Sequence, residues 1–166
     1  FLLCSSNDLL TAYLSIELQS LAFYVLAAFK KNSTFSVDAG IKYFILGAFS
    51  SSLFLFGASL LYGITGTINF EEFKDLFLYF SSENSSHIIS FNVEIIKFAL
   101  ILILISLFFK LAVAPFHTWA PDVYEGSPTA STFFFAVVPK LAIFVLLLRI
   151  FYYSFYGFFD SWRYFI

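Results

Sequence analysis

The sequence predicts an all-α membrane protein that crosses the bilayer several times. Three observations carry this prediction: hydrophobic residues make up 60% of the 166 residues, charged residues make up only 12%, and the mean hydropathy is +0.88. Soluble globular chains carry about 25% charged residues. A chain with so few charges and so much apolar side chain belongs to the multi-span membrane class.

The composition also argues against several kinds of site. The net charge is −2 and no basic block occurs, which argues against nucleic acid as a partner. The single cysteine, Cys4, excludes an internal disulfide, and there are too few Cys and His for a zinc or iron–sulfur site. Gly57, Gly63 and Gly66 lack dinucleotide-binding spacing. The surroundings expected from composition are therefore membrane lipids and other membrane proteins.

Four segments meet the requirement of about 20 mostly apolar residues for a spanning helix. They are residues 9–29, 39–63, 94–114 and 131–159, within a single transmembrane domain that covers 1–166. Asn7 and Asp8 are candidate caps of the first span, and Ser36 and Asp38 are expected to open the second.

The two ends of the chain predict further spans. Residues 1–6 resemble the end of a preceding span, and residues 160–166 resemble the start of a following one. The chain contains no methionine and opens in the middle of an apolar pattern. We therefore expect an internal piece of a longer polypeptide, or the product of a split gene.

Loop charge predicts the orientation. The first loop carries Lys30, Lys31 and Lys42, whereas the second loop, residues 65–92, is acidic. The positive-inside rule places the first loop, together with the later PDVYEG turn, on the cytoplasmic or matrix side. Residues 70–80 are expected to form an amphipathic helix at the opposite interface.

Small residues mark the second span. Gly47 and Ser51 are spaced as a small-xxx-small pair, which allows two helices to approach closely. Ordinary packing between spans explains this pattern best.

Glu17 lies near the middle of the first span. Tyr13, Ser20 and Tyr24 fall on the same helical face as Glu17, so this polar stripe is expected to face protein or water. An ionisable residue inside a membrane is a functional candidate by default. The alternative is a carboxyl group held by local hydrogen bonds for packing alone.

Lys110 lies in an apolar run that continues beyond Pro115. A continuous helix over residues 95–121 would be about 40 Å long, which exceeds the ~30 Å hydrocarbon core. We therefore predict a helix broken near Pro115, since broken helices line polar cavities in transporters. If helicity persists, Lys110 and His117 share a face with Ser106. The alternatives are a lysine that reaches the interface and a histidine that serves packing.

Lys140 follows Pro139 about nine residues into the last span. Arg149 points to the opposite helical face and is interpreted as structural. An ammonium group stabilised by a carboxylate can take up or release a proton when its partner moves. Glu17, Lys110 and Lys140 are therefore hypothesised to form a lateral proton relay near mid-membrane.

Four stretches of the chain carry a resemblance to a known family. They are YLSIELQSLAFYVLAAFK, DAGIKYFILGAFSSSLFLFGASLLYG, FKLAVAPFHTWAPDVYEGSPT and VVPKLAIF. Together they strongly resemble subunit 2 of proton-pumping NADH:ubiquinone oxidoreductase, respiratory complex I, whose bacterial counterpart is subunit N. The resemblance covers nearly the whole chain and is weakest over residues 87–104 and beyond residue 151.

The resemblance implies a fold and a set of site residues. The family has about fourteen spans arranged as two inverted five-helix repeats, and this chain resembles the first antiporter-like repeat. By matching motif, Glu17 pairs with Lys110 on the broken helix, Lys140 passes the proton along the membrane, and Lys42 is an accessory lysine.

The resemblance also implies the partners and the compartment. The chain would be a subunit of an NADH:ubiquinone reductase without a redox centre of its own, because flavin, iron–sulfur clusters and ubiquinone belong to partner subunits. Other membrane-arm subunits and the second repeat are the expected partners. The phenylalanine-rich composition favours the mitochondrial inner membrane over a bacterial plasma membrane. Two alternatives remain open: a cation/proton antiporter subunit, and a structural scaffold whose charges merely pair.

Overall fold

The computed structural model describes residues 1–82 and 87–156, with side chains described outside residues 78–92. The described part is built from helices. In chain order they are α1 (Leu2–Ser5), α2 (Leu9–Ala27), α3 (Thr34–Thr65), α4 (Phe70–Ser82), α5 (His87–Leu111), α6 (Trp119–Gly126) and α7 (Thr129–Leu148), followed by a π-helical turn, Arg149–Ser154.

The long helices run antiparallel, and one end of the bundle is joined by the residues around Asn7. The N–H of Leu9 donates to Ile68, and that of Phe70 donates to Asn7, each at 3.0 Å. These bonds fasten the start of α2 to the start of α4. Arg149, at the end of α7, donates to the side chain of Asn7 at 3.0 Å. Arg149 thus connects the end of α7 to the start of α2, and its interpretation as structural stays a prediction.

The opposite end holds the first loop and α6. A Cβ atom added at Gly126 would lie 2.6 Å from the Cβ of Ala39 and 2.8 Å from the carbonyl oxygen of Phe35, so the end of α6 packs tightly on the start of α3. The PDVYEG turn therefore lies at the same end as the first loop, as the sequence predicted. The side of the membrane that this end faces stays a prediction.

Three helical segments in the described part are long and apolar enough to cross a membrane: Leu9–Ala27, Thr34–Thr65 and Thr129–Ser154. Ser36 and Asp38 do not open this helix, because α3 already begins at Thr34; the membrane bounds of the span 39–63 stay a prediction. Ser33 is the cap of α3, and the Ser33 hydroxyl accepts a hydrogen bond from the N–H of Ser36 at 3.4 Å.

The bounds of the other spans also differ from those predicted. Asp8 caps α2, as expected, and the helix ends at Ala27. The predicted span 94–114 corresponds to the longer helix α5, which starts at His87 and stops earlier, at Leu111. The last span passes from α7 into the π-helical turn at Arg149. Residues 157–159 of the predicted span and the predicted start of a further span at 160–166 lie outside the described residues.

Small residues bring α3 and α5 together, and these two helices share the most extensive contact of the fold. A Cβ atom at Gly57 would lie 2.8 Å from the backbone oxygen of Ala99. The hydroxyl of Ser50 donates to the carbonyl of Ser106 at 3.2 Å, and Ser106 donates back to the carbonyl of Ser50 at 2.7 Å. These reciprocal bonds fix the register of α5, the helix that carries Lys110.

Helix α4 has the predicted amphipathic character, but its apolar face packs on protein. Phe70, Phe73 and Phe77 are buried, and the ring centroid of Phe73 lies 5.3 Å from that of Phe155. The aromatic surface that covers this face includes Phe155, and the location of α4 at a membrane interface stays a prediction. The charged residues of α4 are exposed: Glu71, Glu72, Lys74 and Asp75.

Candidate functional site: a buried carboxylate–ammonium pair beside a broken helix

The helix that carries Lys110 is broken, as predicted. Helix α5 ends at Leu111, and Ala112 adopts a left-handed conformation with φ 58°. Helical structure resumes only at Trp119, so the break begins three residues before Pro115. The indole N–H of Trp119 donates to the carbonyl of Phe109 at 3.0 Å. This bond satisfies one of the carbonyl groups that the end of a helix leaves without an intrahelical partner.

Glu17 and Lys110 form a buried ion pair across α2 and α5. The Nζ of Lys110 lies 3.9 Å from the Oε1 of Glu17, and the two side chains are 10% and 25% exposed. At this distance the charges attract each other without a short hydrogen bond, and Glu17 Oε1 has no hydrogen-bond partner in the described structure. The pair is thus held loosely, with acceptor capacity left on the carboxylate.

The polar stripe of α2 faces protein, as the sequence predicted. Ser20 and Tyr24 are buried, and Tyr13 and Glu17 are half-buried. The hydroxyl of Ser20 donates to the backbone oxygen of Glu17 at 3.0 Å, so it leaves the carboxylate unoccupied. This arrangement differs from a carboxyl group saturated by local hydrogen bonds.

A small internal cavity borders Lys110. Its volume is about 30 Å³, which exceeds the ~10–15 Å³ that one water molecule needs. Its polar lining comes from Gln19, Ser20, Tyr24, Tyr43 and Lys110. Because a water needs two to four polar partners, this cavity can hold a water next to the ammonium group. Pro139, the residue before Lys140, also lines it.

Aromatic side chains of α3 and α6 form one wall of this cavity. The rings of Tyr43 and Trp119 stack with centroids 5.0 Å apart, and Tyr124 meets Trp119 edge-on at 6.1 Å. The Nζ of Lys140 lies over the ring of Tyr124, 5.5 Å from its centroid. The structure therefore brings Glu17 and Lys110 together and places Lys140 against the aromatic wall.

Lys42 lies on α3 and not in a loop. Its Nζ lies 3.1 Å from Asp38 on the same helix and 3.0 Å from Asp122 on α6. Sequence reasoning missed Asp122 as a partner because the two residues are 80 positions apart. It also missed Trp119 and Tyr124 as walls of the site, since aromatic residues in so aromatic a chain give no separate signal.

His117 does not share a face with Ser106 and Lys110. The helix that this arrangement requires ends at Leu111, and His117 is exposed in the irregular segment. Within residues 1–82 and 87–156, no group of three or more His, Cys, Asp and Glu side chains that could hold a metal ion occurs.

Comparison with known proteins identifies relatives along nearly the whole chain. The family model described as NADH:quinone oxidoreductase/Mrp antiporter, TM, matches residues 6–166. NADH-ubiquinone oxidoreductase chain 2 of Marchantia polymorpha is 49% identical over 164 residues, which is 96% of this chain. The chain spans about 31% of the length of that curated relative.

Two solved structures share the fold. Respiratory complex I from Thermus thermophilus, with bound aureothin, contains a chain that is 38% identical with a TM-score of 0.71, and the match covers 89% of this chain and 30% of that one. The Mrp complex from Dietzia sp. DQ12-45-1b contains a chain that is 26% identical with a TM-score of 0.75, and the match covers 91% of this chain and 26% of that one. The fold is thus that of an antiporter-like membrane subunit.

Proposed function

Because this chain belongs to the NADH:quinone oxidoreductase/Mrp antiporter family of membrane subunits, we propose that it contributes to proton translocation in the membrane arm of respiratory complex I. Translocation would be coupled to NADH oxidation and ubiquinone reduction in partner subunits. The identity of 49% to an NADH-ubiquinone oxidoreductase chain 2 supports this assignment over the antiporter assignment.

The Glu17–Lys110 pair is the observation that carries the proposal. A carboxylate 3.9 Å from a buried ammonium group stabilises the protonated lysine. If Glu17 moves away, the ammonium group remains buried but loses the opposite charge beside it. Burial then favours the neutral amine, so Lys110 releases its proton. In this proposal, a displacement of α2 against α5 switches Lys110 between proton uptake and proton release.

The cavity supports a route for the released proton. It borders Lys110 and reaches Pro139, which precedes Lys140 on α7. A water in the cavity would accept the proton from Lys110 and pass it toward Lys140. Glu17, Lys110 and Lys140 are thus proposed as successive members of a lateral relay.

The rest of the path is proposed to lie outside this chain. The chain spans about 31% of its curated relative, and we propose that entry, exit and the redox chemistry belong to the second repeat and to partner subunits. Flavin, iron–sulfur clusters and ubiquinone are assigned to those partners, and the compartment proposed is the mitochondrial inner membrane. Lys42 and His117 are proposed as accessory residues of the relay.

A cation/proton antiporter subunit is the second candidate, favoured by the TM-score of 0.75 to the chain of the Mrp complex. In that case the proton released from Lys110 would be exchanged for a sodium ion that moves in the opposite direction. Two measurements on the purified native complex distinguish the candidates. Flavin and iron–sulfur absorbance with sodium-independent pumping supports the complex I assignment, whereas sodium-dependent proton movement without redox centres supports the antiporter.

We predict that Glu17→Gln lowers proton translocation by about tenfold while the complex assembles at its normal level. The amide keeps the size of the side chain but cannot hold the charge that stabilises protonated Lys110. The measurement is NADH-driven acidification in proteoliposomes that contain the complete complex. Glu71→Gln, at an exposed carboxylate on α4, is the matched control and should pump normally. Normal pumping in Glu17→Gln would instead support a purely structural role for the pair.

A further inference from the structure

We propose that Lys42 is a positioning residue, whose ion pair with Asp122 clamps α6 onto α3 and so holds the aromatic wall of the Lys110 cavity in place. This inference rests on the proposed function of the Glu17–Lys110 pair. It assigns to Lys42 a task that does not require Lys42 to carry a proton.

The ion pairs of Lys42 join two separate elements. The ammonium group lies 3.1 Å from Asp38, one turn earlier on α3, and 3.0 Å from Asp122 on α6. The bond to Asp122 is direct, with Nζ donating to Oδ2. Asp38 orients the lysine along α3, and Asp122 attaches α6 to it.

Asp122 and Trp119 are three residues apart, so they lie on neighbouring positions of the α6 surface. The indole of Trp119 stacks on Tyr43, the residue that follows Lys42, with an interplanar angle of 8°. Helix α3 therefore holds α6 at two consecutive residues, one by charge and one by ring stacking. The position of the Trp119 ring depends on both contacts.

Trp119 connects this clamp to the relay. Its N–H donates to the carbonyl of Phe109, the residue before Lys110, and its side chain lines the Lys110 cavity. A shift of α6 would withdraw the indole from Phe109 and open the cavity on its α6 side. Water would then reach the Glu17–Lys110 pair from the α6 side, and the coupling of this pair to Lys140 would weaken.

Helix α6 is short, and the ion pair adds to the apolar contacts that hold it on α3. It contains 8 residues and follows the irregular segment 112–118. Isolated helices shorter than about 12 residues are marginal, so tertiary contacts must hold α6 in place. Gly126 anchors its far end against Ala39. The ion pair anchors its middle.

The size of the expected effect on proton translocation follows from the solvent exposure of the two side chains in this ion pair. The side chains of Lys42 and Asp122 are 45% and 59% exposed, and exposed ion pairs contribute modestly to stability. Loss of the clamp should therefore leave the fold intact and lower proton translocation per NADH oxidised by roughly twofold to fivefold. A relay residue would show a larger loss.

The test uses the complete complex and five variants: K42A, D122A, K42R, the exchange K42D/D122K, and K31A. Lys31 is an exposed lysine at the same end of the bundle, so K31A is the matched control. Two quantities are measured, namely protons translocated per NADH oxidised and amide hydrogen exchange over residues 112–126. The second reports the position of α6 independently of pumping.

We expect K42A and D122A to lower pumping equally and to accelerate exchange over residues 112–126. K42R, K31A and the exchange variant should remain close to normal in both quantities, because each retains a cation between the two elements or leaves it untouched. Lowered pumping in K42A that the exchange variant does not restore would overturn the proposal, since the defect would then not result from loss of the ion pair. Unchanged pumping in K42A would also overturn it.

Failure of the clamp and failure of the relay give different results. Glu17→Gln is measured in the same series. Lowered pumping in Glu17→Gln with normal pumping in K42A contradicts the clamp alone. Normal pumping in Glu17→Gln contradicts the proposed relay, whatever the exchange over residues 112–126 shows.

Discussion

Replacing Lys110 by alanine is expected to lower proton translocation by the complete complex by about tenfold or more, because positioned acid–base groups typically contribute 10²–10⁴-fold. The substitution removes the amine that borders both Glu17 and the internal cavity. It also leaves Glu17 without the opposite charge. Removing one partner of a fully buried pair costs about 3–5 kcal/mol, and partial exposure of Glu17 reduces this loss to about 2 kcal/mol.

Lys97→Ala is the matched control for Lys110→Ala. Lys97 lies on the same helix, α5, and also forms an ion pair, with Glu94 at 2.8 Å. The side chains of that pair are 35% and 71% exposed, more than those of Glu17 and Lys110, so its loss should change stability by less than about 1 kcal/mol and should not change pumping. The two variants are compared by acidification and by NADH oxidation in proteoliposomes. Equal pumping by both would contradict a role for Lys110 in proton transfer.

The second large effect is expected at Gly57, where alanine should destabilise the subunit by about 1–3 kcal/mol through overpacking. The added Cβ would lie 2.8 Å from the backbone oxygen of Ala99 and 2.9 Å from a side-chain carbon of Ile103. A backbone atom cannot rotate away, so α5 must shift. Because α5 also carries Lys110, we expect pumping to decrease along with the apparent Tm.

Gly63→Ala tests whether the lack of space for a Cβ atom causes the destabilisation expected for Gly57→Ala. Gly63 lies on the same helix, and a Cβ added there meets nothing within 4 Å. Alanine favours a helix over glycine by up to about 1 kcal/mol, so this variant should be neutral or slightly more stable. Thermal unfolding of the solubilised complex compares the two variants. The packing account would be wrong if both shifted the apparent Tm in the same direction.

The Glu17–Lys110 pair could be predicted from the sequence for a physical reason. Each residue is charged within an apolar run, and a charge inside a membrane requires a partner or a polar cavity. The structure provides both, with the two groups 3.9 Å apart and a cavity beside the lysine. The resemblance to a known family added the specific pairing of these two residues.

The place of the helix break could be predicted only approximately. Pro115 indicated that the helix could not continue, but the chain leaves the helix at Ala112. A left-handed conformation is uncommon for a residue other than glycine. It is maintained here by tertiary contacts such as the hydrogen bond from Trp119 to Phe109. A local sequence pattern does not indicate such contacts.

Contacts between distant elements could not be predicted from the sequence for the same reason. Asp122 was visible only as part of an acidic turn, and Lys42 only as a charge counted with the first loop. Their pairing follows from the packing of α6 on α3. The burial of the α4 phenylalanines likewise depends on Phe155, which lies more than 70 residues further along the chain.

The double variant Glu17→Gln/Lys110→Met tests the central claim most directly. Replacing a buried ion pair by neutral side chains of similar volume is often neutral or stabilising, so the complex should assemble at its normal level. NADH-driven proton translocation is measured in proteoliposomes that contain this assembled complex. We predict normal assembly with loss of proton translocation, because the two groups that exchange the proton are gone. Normal assembly with normal proton translocation would contradict the account and show that the pair serves only the structure.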